Sequence, residues 1–149
     1  MSAAPTVALL VSAGACLVLQ NLLMVRIALS ASTVLVALVI NSAVGLTLLL
    51  ALLLIRSGPG GVVEAVSALR PWAVLPGLLG SFFVFAGILG YQRLGAAPTI
   101  AILVASQLLA GLVADYVRFG GQAPPAHGTS LVGAALLVTG ALLMVGRNV

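Results

Sequence analysis

Five apolar stretches, each long enough to cross a bilayer, constrain this chain more than any other feature. A hydrocarbon core about 30 Å thick is crossed by roughly 20 residues of helix. On that ruler the stretches fall at residues 5–24, 32–55, 72–91, 98–117 and 130–145. Lipid offers no water to backbone N–H and C=O groups, so a span of this length satisfies them internally, as a helix. The expected fold is an all-α membrane protein with five transmembrane helices, in a single domain over residues 1–149. Composition agrees, since 62% of the residues are hydrophobic and 5% charged, against ~25% charged in soluble domains.

The formal charge of +4 comes from six arginines set against Glu64 and Asp115, with no lysine. A pI near 10.8 in a soluble protein would point to nucleic acid. Here the arginines stand singly at span ends, where they reach for headgroups, and no nucleic-acid footprint results. Cys16, the only cysteine, lies in the middle of the first stretch. One thiol makes neither an intrachain disulfide nor a metal cluster, and no metal or cofactor is expected. No basic residue precedes the first stretch and Arg26 follows it. That stretch is expected to stay as a membrane helix and not to be removed as a signal peptide.

Two connections are longer than the others. Residues 56–71 open with the breaker cluster Ser57-Gly58-Pro59-Gly60-Gly61. Val62, Val66 and Leu69 then follow at helical spacing, the pattern of one or two interfacial turns. Residues 118–129 hold Gly120, Gly121, Pro124 and Pro125. With an odd number of spans, both loops share a side with the N-terminus. Residues 92–97 form a tight turn that makes spans three and four antiparallel neighbours. Pro98 opens span four, where a missing N–H is tolerated, and Pro76 is a candidate kink early in span three.

This topology divides the arginines evenly. Arg56, Arg70 and Arg118 fall on one face, and Arg26, Arg93 and Arg147 on the other. Membrane proteins are oriented by an excess of Lys and Arg in their cytoplasmic loops, and here the excess is zero. A chain without such bias is expected to insert both ways up, so that two opposite copies form an antiparallel dimer. Small residues that allow close helix approach mark candidate contacts. Gly133 and Gly140, seven apart on span five, fit a dimer seam or packing within one protomer, whereas Gly77-x-x-x-Ser81 on span three reads as an internal contact.

Polar groups inside the bilayer are few. Gln20 and Asn21 lie on span one, Asn41 and Ser42 on span two, Ser81 on span three, and Ser106 and Gln107 on span four. Interhelical hydrogen bonds in lipid contribute only ~0.6–2 kcal/mol, a weak reason to place amides there for stability alone. A polar cavity lined by Gln20, Asn41, Ser106 and Gln107 is the expected substrate site, and interhelical glue is the competing reading. Asp115, near the end of span four, is the candidate coupling group, although Arg118 three residues on also permits an interfacial ion pair. Glu64 and His127 are expected in loops. No Ser/His/acid set, metal-ligand spacing, phosphate loop or paired carboxylate is present, so an enzyme is not expected.

Several segments resemble the five-helix inner-membrane exporter family, of unknown function, within the drug/metabolite transporter superfamily. They are residues 14–20, Thr33-Val34-Leu35-Val36-Ala37 with Val44-Gly45, and Pro71-Trp72 through Gly77-x-x-Gly80 to Phe83-Val84. Arg93-Leu94-Gly95-Ala96, then Ser106-Gln107-Leu108-Leu109-Ala110 running to Asp115 and Gly120-Gly121, complete the set. The family pattern has an asparagine four residues after its first-helix glutamine, where this chain has Met24. The resemblance therefore carries over to Gln20, Gln107 and Asp115 only. It implies a bacterial inner-membrane location and half of a ten-helix inverted-repeat transporter, found as dual-topology homodimers, opposite partner pairs or fused chains. The related four-helix multidrug transporters use a first-helix glutamate for proton exchange. Gln20 does not titrate, which leaves Asp115.

The function expected from these features is a secondary transporter, exporting a small metabolite or drug-like solute by alternating access as an antiparallel homodimer. Its partners are the lipid bilayer, a second copy of itself and the solute. A dual-topology ion channel lined by amides and hydroxyls is the first alternative. A non-transporting accessory subunit, whose polar residues serve packing alone, is the second.

Overall fold

Residues 3–118 and 127–146 are described in the computed structural model, and among them the only regular structure is helix. The elements are α1 (Ala3–Ser30), α2 (Val34–Ser67), a single 3-10 turn (Pro71–Ala73), α3 (Val74–Leu94), α4 (Ala96–Arg118) and α5 (His127–Gly146). Four helices are long and apolar enough to cross a membrane: Ala4–Ser30, Val34–Ser67, Pro71–Leu94 and Ala96–Arg118. The fifth, α5, has 20 residues and so reaches about 30 Å. Its apolar centre is Val132–Met144. Gly120, Gly121, Pro124, Pro125 and Arg147 lie outside the described residues.

The helices overrun the expected spans where polar residues cost little. In α1 the helix continues past Met24 to Ser30 and includes Arg26, whose long side chain can reach the headgroups from within a helix. The connection expected at residues 56–71 is mostly helical. Helix α2 breaks only at Gly58, whose φ of 61° and ψ of −163° suit glycine alone. Pro59 then starts the second piece, where an N–H would have no helical acceptor. Gly61 is buried beneath the preceding turn, and a Cβ there would sit 2.7 Å from the Ser57 Cβ. Val62 and Val66 are helical as their spacing predicts, while Leu69 lies beyond the end of the helix.

Helix α3 is entered through Arg70 in an extended conformation and Pro71 at the first position of the 3-10 turn. Pro76 falls in the first turn of α3, where no intrahelical hydrogen bond is lost, so the kink expected there is not required. The turn into α4 is a single residue, Gly95, at φ 87°. Thr99 Oγ1 donates to the Gly95 carbonyl oxygen at 2.7 Å, a bond within the first turn of α4. Across the turn, a Cβ on Gly90 would lie 2.6 Å from Thr99 Cγ2, so the Thr99 side chain packs directly on the Gly90 backbone.

The chain divides into two units, Met1–Leu89 and Gly90–Val149. In the first, α1 packs on α2. Met24, Ala28, Ala37 and Ile88 form its core, flanked by Val25, Ile27, Val34, Leu38 and Val84. In the second, α4 packs on α5, with Ala105, Ala134 and Ala141 buried. Burial is slight in both, since no long span has more than 17% of its most apolar window inside the protein. Side chains such as Leu9, Leu46, Leu79 and Leu136 are exposed along the spans. In water such surfaces drive association; in a bilayer, acyl chains solvate them and helix contact is reserved for small or polar residues.

Candidate functional site

The intramembrane amides stand on the walls of largely apolar grooves, Gln20 and Asn41 in the first unit and Gln107 in the second. In the first, Gln20 on α1 donates from Nε2 to Asn41 Oδ1 on α2 at 2.9 Å. The two amides expected to hold solute from neighbouring helices thus touch each other. They line a groove of about 360 Å³ together with Cys16, Leu19, Leu23 and Val44. One mutual bond uses only part of what two amides offer, because each carries two donors and two acceptor lone pairs. Gln20 is exposed and Asn41 half-buried, so the pair stands at the groove wall and is not locked in a core.

Asn21, one residue on and about 100° around the helix, is 6% exposed. Its Oδ1 lies 3.8 Å from where a Gly87 Cβ would be, which places it between α1 and α3. Met24, where the family pattern has asparagine, is a core residue at 3% exposure. A separate groove of about 550 Å³ between α2 and α3 is lined by Ser42 and Ser81 among leucines.

In the second unit, Gln107, Gly111 and Asp115 follow one another at four-residue intervals on α4. They face Gly133, Ala134 and Leu137 of α5 across a groove of about 470 Å³. Ser106 is not part of it. Its hydroxyl donates to the Leu103 carbonyl at 2.9 Å, and it lines a different groove with Ile102, Leu109 and Val138. Gln20 is therefore brought to Asn41, and Gln107 to Asp115, while Ser106 stands apart from Gln107. Gly140 lines an apolar groove with Ile100, Val104 and Met144. Both Gly133 and Gly140 have room for a Cβ with no described atom within 4 Å.

Sequence reasoning did not find the Gln20–Asn41 bond or the Thr99–Gly95 bond, although each is built from residue types that signal hydrogen bonding. Cys16 is an exposed free thiol. Among the described residues no three His, Cys, Asp or Glu side chains gather to hold a metal ion.

Comparison with known proteins gives this geometry a context. Residues 5–143 match the family described as "Putative inner membrane exporter, YdcZ". The chain is 50% identical over 148 residues to the inner membrane protein YdcZ of Escherichia coli (strain K12), covering 99% of each. No solved structure matches it.

Proposed function

The chain belongs to this inner-membrane exporter family, and from that membership we propose that it is a secondary transporter exporting a small metabolite or drug-like solute. It is a multi-pass inner-membrane protein. Two copies of opposite orientation form a ten-helix assembly that works by alternating access. The observation that carries this reading is the even division of the arginines, which leaves the insertion machinery no sign to follow. An antiparallel pair is an inverted repeat made from one sequence, and exchange between its two mirror-related arrangements moves a central site from one side to the other.

The amide-bearing grooves supply the pathway. Gln107 binds solute from α4, and the Gln20–Asn41 pair on α1 and α2 offers its remaining donors and acceptors. Ser106 is the weaker member of the set, because its hydroxyl already serves the helix backbone. Asp115 is the coupling group, the one carboxylate on a groove wall with which solute and coupling ion exchange in turn. Gly133 and Gly140 form the dimer seam: room for a side chain remains at both, so packing against α4 does not by itself call for glycine. No catalytic chemistry is assigned.

Flux in proteoliposomes tests the assignment. Gln107→Ala is expected to lower transport roughly two- to thirteenfold, the equivalent of the ~0.5–1.5 kcal/mol that one hydrogen bond contributes. Unchanged flux would remove Gln107 from the pathway.

A further inference from the structure

We propose that the groove between α4 and α5 is a binding site for an organic ammonium ion, with Asp115 as its anionic end and Gln107 as its hydrogen-bonding end. The inference rests on the exporter reading and narrows it to a class of solute. Asp115 and Glu64 are the only acids in the chain, and only Asp115 lines one of these grooves. Among the described residues no arginine lines this groove. Arg118, on the last turn of α4, is exposed and outside the groove wall.

Charge decides among the classes of occupant. An anion would meet the carboxylate at short range with only the Gln107 amide to attract it. A neutral solute would strip water from the carboxylate without replacing it, which is costly. A cation pairs with the carboxylate, which is exposed on the groove wall, and the apolar lining beside it strengthens the attraction over its value in bulk water.

Size decides between an inorganic and an organic cation. The groove holds about 470 Å³, within the ~300–1,000 Å³ of pockets that take drug-sized ligands. A water molecule, similar in scale to a small ion, occupies only ~30 Å³. Gln107 and Asp115 are two turns apart, about 12 Å along the helix axis. Between them Gly111 leaves its side of the groove open, with Gly133 and Ala134 opposite. That shape fits a solute with a positive head at Asp115 and a slender body lying toward Gln107.

A matched trio of fluorescent aryl probes, ending in trimethylammonium, tert-butyl or sulfonate, tests the assignment on the purified protein in nanodiscs. The ammonium probe is expected to bind roughly tenfold or more tightly than the tert-butyl probe, and Asp115→Asn to bring the two to parity. Gly111→Leu is expected to abolish binding of both while keeping the fold, because the new side chain enters space that is open. Glu64→Gln should change nothing. Repeating the titration with phosphatidylethanolamine in the disc separates the two sources of an ammonium group. Weakened probe binding assigns the site to the lipid, and unchanged binding assigns it to a soluble solute. Equal affinity for all three probes, no ammonium binding, or full binding by Asp115→Asn would overturn the proposal. Solute flux through the unaltered protein in proteoliposomes judges the exporter reading separately: transport without ammonium selectivity overturns this proposal and leaves that reading standing.

Discussion

Two lysines on one side of the membrane are expected to silence the transporter, and two on the other side, supplied in a second copy, to restore it. Ser32, between α1 and α2, and Gln92, beside Arg93, are exposed, and the five-span topology expected from the sequence puts both on the side of Arg26. Ser67 and Leu69 are exposed on the side of Arg56 and Arg70. Ser32→Lys with Gln92→Lys turns an even count into a clear excess on one face, and that face is then held in the cytoplasm. Such a variant expressed alone yields only parallel copies and should export no faster than an empty membrane. Ser67→Lys with Leu69→Lys should be equally inactive alone, in the opposite orientation. Expressed together, the two variants rebuild the antiparallel pair and export should return. Full export by either one alone would mean that the working unit does not need opposite copies.

The second large effect is steric. Gly90→Leu is expected to prevent the α3–α4 hairpin from closing, with a loss of folded protein or at least the ~1–3 kcal/mol typical of overpacking. A Cβ at Gly90 would meet three Thr99 atoms at 2.6, 2.9 and 3.3 Å. Thr99 is 5% exposed, and its hydroxyl is tied to the Gly95 carbonyl at 2.7 Å, so it has little freedom to swing aside. Gly87→Ala is the control, because its Cβ would meet Asn21 at an ordinary 3.8 Å. Thermal unfolding in detergent should show Gly90→Leu strongly destabilised and Gly87→Ala near the parent. Adding Thr99→Ala to Gly90→Ala should recover part of the loss, since it removes the two closest atoms. A Gly90→Leu protein as stable as the parent would contradict the close approach.

These expectations draw on sequence and structure in different proportions. The spans were readable because an uninterrupted apolar run has only one low-energy arrangement in lipid. The break in α2 was readable for a local reason, because Ser57-Gly58-Pro59 offers a residue free to adopt positive φ and then one suited to begin a helix. Span ends were less legible, as with Arg26, because a snorkelling arginine does not stop a helix. The faces were hardly legible. Each span is apolar nearly all round, so no stripe tells which side turns inward. That is why neighbours such as Gln20 and Asn21 could not be separated, although one is exposed and the other buried. The same holds for Ser106 and Gln107, which line different grooves.

The candidate site was legible as a list of residue types and not as an arrangement. Amides and a carboxylate in lipid announce themselves by their cost. Their pairing depends on helix rotation, which long-range contacts such as that of Asn21 with Gly87 determine. The structure therefore contributed the Gln20–Asn41 bond and the shared groove of Gln107 and Asp115.

Orientation of the unmodified protein remains the most direct test. The N-terminus is fused in turn to a reporter active only in the cytoplasm and to one active only outside it, with expression matched. Comparable activity from both fusions is the predicted result, because the same polypeptide is inserted in both directions. Activity from one fusion and silence from the other would contradict the antiparallel assembly.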